Sequence, residues 1–273
     1  MPAEVLNAKA SAATLKDDAQ DPVYLRIRDL VYQTCGIYHS EEKLYLLVAA
    51  CKRRMQTGKA NSGREYLELL SSSAYRDMES RELLNEITIG ETSLFRSQPQ
   101  LNALQNAILP ELAVERAKMG LKRLKIWSAG CSTGEEPYTL AMFLTEQKDK
   151  ILRDWTFEIH ATDLNDRSID IAKAGVYGGY ALRNTPEFYK RKYFVAADDG
   201  KLKVRDEIRG RINFTRLNLN DDKVNLSQEE NGLAGADMAA VATNFAQAQL
   251  ANQATLSATT KVLGLPTLLD YLK

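Results

Sequence analysis

Leu124-Lys-Ile-Trp-Ser128, then Ala129-Gly130-Cys-Ser-Thr-Gly134, then Glu135-Glu136-Pro137-Tyr138-Thr-Leu-Ala-Met-Phe-Leu144 is the stretch on which the fold turns. Its first part alternates apolar and polar residues, as a half-buried strand does. The middle is bounded by two glycines, which let a backbone turn sharply and come close to a ligand. The last part opens a helix, with Pro137 in the first turn, where a missing N–H costs nothing. Downstream, Phe157-Glu-Ile-His-Ala-Thr-Asp163 alternates again, and a helix follows at Arg167–Ala174. Strand, glycine turn, helix, strand, acidic residue and helix make a βαβ unit, so an α/β fold is expected.

Upstream the period is helical. Leu25, Ile27, Leu30, Val31 and Cys35 recur at threes and fours, and Gly36 is placed to end that helix. Ser40 is expected to cap a second helix, whose apolar face is Leu44, Leu46, Leu47, Ala50 and Met55. Lys52, Arg53 and Arg54 stand near its carboxyl end, where cations suit the helix dipole, and Gly58 follows. Two more helices are expected around Tyr66–Leu70 and Leu83–Ile87. Residues 22–87 therefore predict a small all-α domain, after a flexible lead-in at 1–21.

Beyond the βαβ unit, residues 175–212 are rich in aromatic side chains. They predict a helix and a small hairpin around Asp198-Asp-Gly200, before the chain rejoins the main sheet at Asn213–Leu217. From Met238 to Thr260 the chain is rich in Ala and carries no charge. Met238, Val241, Phe245, Ala248, Asn252, Thr255, Leu256, Thr259 and Val262 share one narrow face, which predicts a long helix. It holds too much Asn, Gln and Thr to span a membrane.

The whole chain has 273 residues, with Lys+Arg and Asp+Glu both 36, so no global charge points to nucleic acid or a membrane. Three cysteines without metal spacing and only two histidines make a zinc site improbable, and no metal is expected. Free thiols and a polar N-terminal stretch fit a cytoplasmic protein.

The glycine turn by itself fits a plain structural turn as well as a ligand loop. Glu135 and Glu136 would repel a pyrophosphate, which points to a cationic ligand such as S-adenosylmethionine, with its sulfonium and ammonium. Asp163, at the end of the next strand, can accept both ribose hydroxyls of an adenosine, or else cap the following helix. Arg96, on the linker Thr88–Arg96, can close over a ligand or form a surface ion pair. The basic trio can face an acidic partner or be a solvated helix end.

Five runs carry a family resemblance: GETSLFR at 90–96, WSAGCSTGEEPYTLA at 127–141, ATDLN at 161–165, the Ala172 to Tyr177 pattern with its later Tyr193-Phe194, and NFTRLNL at 213–219. In order and spacing, residues 22–221 resemble the chemotaxis receptor methyltransferases (CheR). The resemblance implies a Rossmann-like S-adenosylmethionine domain over 88–222, behind the all-α domain, with 175–212 as its small β-subdomain. It implies methyl transfer from S-adenosylmethionine to receptor glutamates, giving methyl esters. Thr92 and Arg96 would contact the methionyl end, and Arg96 would border the reaction centre. Gly130 belongs to the cofactor loop. Glu135 or Glu136 would bind the ammonium, with a slight preference for Glu136. Asp163 would hold the ribose, and Asn218 and Leu219 would meet the adenine. Lys52, Arg53 and Arg54 would face the receptor's cytoplasmic domain.

After NFTRLNL the likeness stops. The family continues with a Cys-Arg-Asn…Ile-Tyr-Phe motif, while this chain reads Asp222-Lys-Val-Asn-Leu-Ser-Gln, so a truncated sheet is expected. Residues 233–273 instead resemble the C-terminal helix of flagellins and hook–filament junction proteins, which implies a helix partner for 238–263. A second reading follows: a catalytically impaired fusion acting through helix association.

Overall fold

The computed structural model describes residues 14–221, apart from residues 59, 74 and 89. The expected truncation and the long terminal helix fall at 222–273, outside the described residues.

Four helices form the first unit: α1 (Pro22–Cys35), α2 (Leu44–Met55), α3 (Gly63–Ser71) and α4 (Arg76–Ile87). Local chemistry sets the bounds of two of them. Asp21 caps α1 by accepting from the Val23 N–H, and Gly36 closes it in the left-handed conformation, φ 76°. Ser62 caps α3 through the Glu65 N–H. Ile27, Leu47, Val48, Cys51, Tyr66, Leu70, Leu83 and Leu84 meet in the centre, all essentially buried. Two expectations need correction. Ser40 makes no side-chain cap; it precedes a single 3₁₀ turn, Glu41–Lys43, that leads into α2. The lead-in is not all free chain either: residues 14–18 are helical, and Leu15 and Ala19 pack against this core.

A helix that the sequence pattern does not announce crosses to the second unit. It runs as α5 (Gln98–Ala103), a π turn (Leu104–Ile108) and α6 (Leu109–Lys118). Pro110, near the start of α6, lacks an N–H to give the preceding turn. The wider π turn just before it is one way a helix accommodates such a break.

The main sheet is parallel, in the order β1 (Arg123–Ala129), β2 (Thr156–Asp163), β6 (Ile212–Arg216), with Ala129 opposite Thr162 and Asp163 opposite Arg216. Between β1 and β2 runs α7 (Glu135–Glu146), and after β2 comes α8 (Asp166–Ala174), capped by Asn165. Ile126, Tyr138, Met142, Leu144, Ile159, Ala161 and Phe214 form the core between sheet and helices. The hairpin expected around Asp198–Gly200 is present. β4 (Phe194–Ala196) and β5 (Leu202–Val204) pair antiparallel, and β5 also pairs with β3 (Val176–Tyr177). α9 (Glu187–Tyr193) and α10 (Asp206–Arg209) complete this lobe. No helix among the described residues is long and apolar enough to cross a membrane.

Candidate functional site

The turn between β1 and α7 is wound tightly. Gly130, Ser132 and Gly134 all take positive φ (72°, 50° and 93°). A Cβ on Gly134 would lie 2.8 Å from the Cβ of Ala172 and 3.0 Å from the Tyr177 hydroxyl, so this position requires glycine for space as well as for φ. Two amides, of Gly130 and Cys131, donate to the carbonyl of Thr162 at 2.8 and 2.9 Å, tying the turn to the end of β2. The Tyr177 hydroxyl holds its far side by donating to the Thr133 carbonyl at 2.7 Å.

Asp163 sits at the carboxyl end of β2, half-buried. Its Oδ2 accepts from the Ser132 N–H at 2.7 Å and its Oδ1 from the Asn165 N–H at 2.8 Å. Each oxygen keeps a further lone pair, so the carboxylate is oriented yet free to receive two hydroxyls. The cap of α8 belongs to Asn165, whose side chain accepts from the Ser168 N–H at 3.1 Å.

Two more carboxylates lie just past the turn. Glu135 is buried and accepts from the Thr133 hydroxyl at 2.7 Å; Glu136 accepts from the Ser128 hydroxyl at 2.6 Å. Burial pushes both carboxyl pKa values above the ordinary range. Such groups gain from a cation. Glu135 already has Thr133, its own N–H and the charge of Arg183 to steady it, whereas for Glu136 the Ser128 hydroxyl is the steadying group. The same setting, burial first and then Asp163 and Glu136, pushes the Cys131 thiol up to about 12, so it stays protonated and unreactive at neutral pH.

A cleft of about 530 Å³ opens at the carboxyl ends of the strands, between the two units. From the sheet side it is lined by Gly130, Ser132, Asp163, Asn165, Asn218 and Leu219; from the helical side by Ile37, Tyr38, His39, Lys43 and Leu46, among others. Its shape depends on staples across the domain boundary. Asn165 Nδ2 donates to the Asn85 carbonyl (3.1 Å) and the Thr88 hydroxyl (2.7 Å), and the Asp166 N–H donates to Asn85 Oδ1 (3.0 Å). Arg167 pairs with Glu82 and Glu86, each at 2.8 Å. At the other edge, Asn218 Nδ2 donates to the Thr34 carbonyl at 2.7 Å and Asn220 Nδ2 to the Gln33 carbonyl at 3.0 Å.

The residues singled out by sequence divide accordingly. Gly130, Asp163, Asn218 and Leu219 come together on the cleft wall; Thr92, Arg96, Glu135 and Glu136 lie outside that lining. The Asn218 amide is committed to Thr34 and Asp221, so it fixes the wall instead of offering a free donor. Arg96 is exposed and folded back, donating to the Glu91 carbonyl at 2.8 Å. Of the three cations on α2 expected to face a partner or to be a solvated helix end, Arg54 is turned inward. Its side chain is 11% exposed and grips the buried Glu79 with two guanidinium bonds, at 2.8 and 3.1 Å. Lys52 pairs with Asp18, and the half-exposed Arg53 pairs with Glu86 at 2.9 Å. Among the described residues, no group of three or more His, Cys, Asp or Glu side chains is placed to hold a metal ion.

The arrangement suits an adenosyl ligand with a cationic end. A carboxylate oriented by two amides faces the cleft, a glycine-wound turn lets backbone approach, and the enclosed Ser132 hydroxyl lacks a hydrogen-bond partner. Fold and site together define the class as an S-adenosylmethionine-dependent methyltransferase. Residues 90–230 match the CheR methyltransferase SAM binding domain and residues 23–88 the CheR methyltransferase all-alpha domain. The chain belongs to the CheR methyltransferase family. It is 31% identical to a "Chemotaxis protein methyltransferase" of Borreliella burgdorferi, covering 75% of this chain and 72% of that one. It is 32% identical to "Chemotaxis protein methyltransferase 2" of Vibrio cholerae (74% and 68%). With "Chemotaxis protein methyltransferase 1" of Pseudomonas aeruginosa the identity is 33% (74% and 73%). Residues 207–272 also match the bacterial flagellin C-terminal helical region. The described part of that match builds most of α10 and all of β6, so up to residue 221 the chain is methyltransferase sheet.

Proposed function

We propose that this chain transfers the methyl group of S-adenosylmethionine to glutamate side chains in the cytoplasmic domain of a chemotaxis receptor, in the cytoplasm, forming methyl esters. The observation that carries the cofactor half is Asp163, held by two backbone N–H groups at the cleft wall. The receptor half rests on the names of the relatives. When bound, the cofactor supplies a methyl group already activated on sulfur. A substrate carboxylate is ionised at neutral pH, so no strong base is needed, and positioning can supply much of the rate.

In this reading Asp163 receives the ribose hydroxyls and Leu219 borders the adenine, with Asn218 fixing that wall. Glu136 takes the ammonium, because its buried charge has the less support. Thr92 and Arg96 lie toward the methionyl end, where the exposed Arg96 guanidinium has donors left for an incoming carboxylate. Lys52 and Arg53 face the acidic receptor, with Arg54 locked beneath them. Residues 22–87 form the helical domain, 88–222 the cofactor domain and 175–212 its β-lobe. The flagellin-like tail and its helix partner for 238–263 lie outside the described residues.

The test is transfer of labelled methyl groups from S-adenosylmethionine to receptor fragments, read as base-labile methanol. Label that Glu136→Gln strongly reduces supports the assignment. A folded chain that binds the cofactor yet labels no receptor carboxylate would overturn the receptor half.

A further inference from the structure

Two exposed arginines flank the segment 90–96: Arg96 at its end and Arg183 on the turn between β3 and α9. Neither pairs with a carboxylate among the described residues, whereas Arg53, Arg54, Arg123 and Arg167 all do. The turn that carries Arg183 is laid along the segment by three bonds. The Leu94 N–H donates to the Ala181 carbonyl (2.9 Å), Asn184 Nδ2 to the Ser93 hydroxyl (3.2 Å), and the Tyr180 hydroxyl to Glu91 Oε1 (3.4 Å). The segment is tied to α7 in turn. The Phe95 N–H donates to the Thr139 hydroxyl (3.0 Å), which donates to the Glu135 carbonyl (2.7 Å). Phe95 takes a positive φ of 55° there, rare for a bulky residue, so the bend beside Arg96 is strained and held by its surroundings.

Within this frame Arg183 is fixed by Tyr180 alone. Its guanidinium lies 3.8 Å from the centroid of the Tyr180 ring, and Nη1 donates to the Tyr180 carbonyl at 2.7 Å. Tyr180 is 66% exposed, so the stacked pair stands at the surface instead of filling a core. The charge of Arg183 reaches the buried Glu135, which sets it beside the first turn of α7. Arg96 approaches from the other side of the Glu91–Tyr180 contact, through the Glu91 carbonyl. Two guanidinium groups thus stand against one exposed carboxylate, Glu91, and leave one positive charge in excess. A guanidinium stacked flat on a ring keeps edge donors open, and such a fork fits a carboxylate with two parallel bonds.

We propose that Arg183, stacked on Tyr180, receives the methyl-accepting carboxylate opposite Arg96, so that the β-lobe supplies a substrate-binding residue at the reaction centre. This rests on the receptor reading above. Arg183 then selects an ionised glutamate over a neutral glutamine. In the transfer, a carboxylate oxygen bonds the methyl carbon as the carbon–sulfur bond breaks and its electron pair stays on sulfur; no proton moves. The ester formed has lost the charge that Arg183 holds, which favours release.

The experiment uses the full chain saturated with S-adenosylhomocysteine, and two receptor cytoplasmic fragments that differ only in Glu or Gln at one methylation site. Calorimetry should show the wild-type chain binding the Glu fragment about tenfold more tightly than the Gln fragment. Arg183→Ala should bind both fragments alike, with its Kd for S-adenosylhomocysteine within about twofold of the wild type. Arg183→Lys keeps the charge but not the fork, and should keep part of the preference. A full preference in Arg183→Ala would overturn the proposal. So would weaker S-adenosylhomocysteine binding with the preference unchanged, which would move Arg183 to the cofactor. A wild-type chain that binds both fragments equally would overturn this proposal and leave the receptor reading intact. One that binds S-adenosylhomocysteine yet neither fragment would overturn both.

Discussion

Replacing Asp163 separates a ligand-binding carboxylate from one that merely secures a turn. The side chain does two things at once. It holds the Ser132 and Asn165 amides at 2.7 and 2.8 Å, and it presents its remaining lone pairs to the cleft. In Asp163→Ala both amides lose their partner; the site is half-buried and water can replace part of the loss, so folding should cost about 1–2 kcal/mol. The ligand would lose two charge-assisted bonds from its ribose hydroxyls, together about 3 kcal/mol, or roughly a hundredfold in Kd. Asp163→Asn keeps the shape but turns an amide N–H toward a backbone N–H, so it should fall between the two. Calorimetry with S-adenosylhomocysteine gives Kd, and a thermal melt of the same samples gives stability. A hundredfold weaker Kd with a modest fall in Tm supports the ribose role. A Kd within threefold of the wild type would refute the reasoning, whatever happens to Tm, and leave Asp163 as an anchor of the turn.

Gly134→Ala should destabilise the chain far more than Gly130→Ala. Both positions have positive φ, costing about 1 kcal/mol, but only at Gly134 does the added Cβ strike another residue, the Cβ of Ala172 at 2.8 Å; equal melting temperatures would refute this. Arg54→Met should cost about 3 kcal/mol in urea unfolding, because it takes two charge-assisted bonds from the buried Glu79, which keeps the Tyr66 hydroxyl, while the half-exposed Arg53→Ala should cost under about 1 kcal/mol. Similar losses would return Arg54 to the free surface. Glu86 has its pKa lowered, first by Arg167 and then by Arg53. A depressed carboxylate stabilises the fold above its unfolded value of about 4.3, and that contribution disappears as pH falls through the folded value. Melting temperature should therefore drop on acidification below about pH 4.3, and Glu86→Gln should flatten the drop; an unchanged profile would show that the pair contributes nothing.

What was legible in the sequence was local. The switch of hydrophobic period from threes and fours to two located β1 and β2, and glycines placed the turn at 130–134, because those signals act within a few residues. The hairpin at Asp198–Gly200 was readable for the same reason. The α5–α6 helix was not, since Pro110 near its middle argues against a helix unless a π turn precedes it. Contacts between sequence-distant residues were equally hidden. Nothing near Asn165 announces Asn85, and nothing near Asn218 announces Thr34. Arg54 looked like its neighbours Lys52 and Arg53 because a run of cations does not show which one turns inward.

The domain boundary and the cleft are one structure. The linker and the elements around it join the two units, but the cleft also needs the last turn of α1 held against the exit of β6, and that task falls to Asn218 and Asn220. On the opposite edge Asn85, Thr88, Glu82 and Glu86 hold α8. These are polar contacts, several at half-exposed positions, each contributing on the order of 1 kcal/mol or less. A boundary made of such bonds can loosen without unfolding either core, whose buried clusters are separate. A ligand that touches both walls then favours the closed arrangement by its own binding free energy, RT ln(1 + [L]/Kd), and any substitution that loosens the staples must weaken the ligand by the same linkage. If the cleft takes the cofactor as proposed, its affinity should respond to the interface as much as to Asp163, and a helical domain built only to recognise another protein would not need to show this coupling.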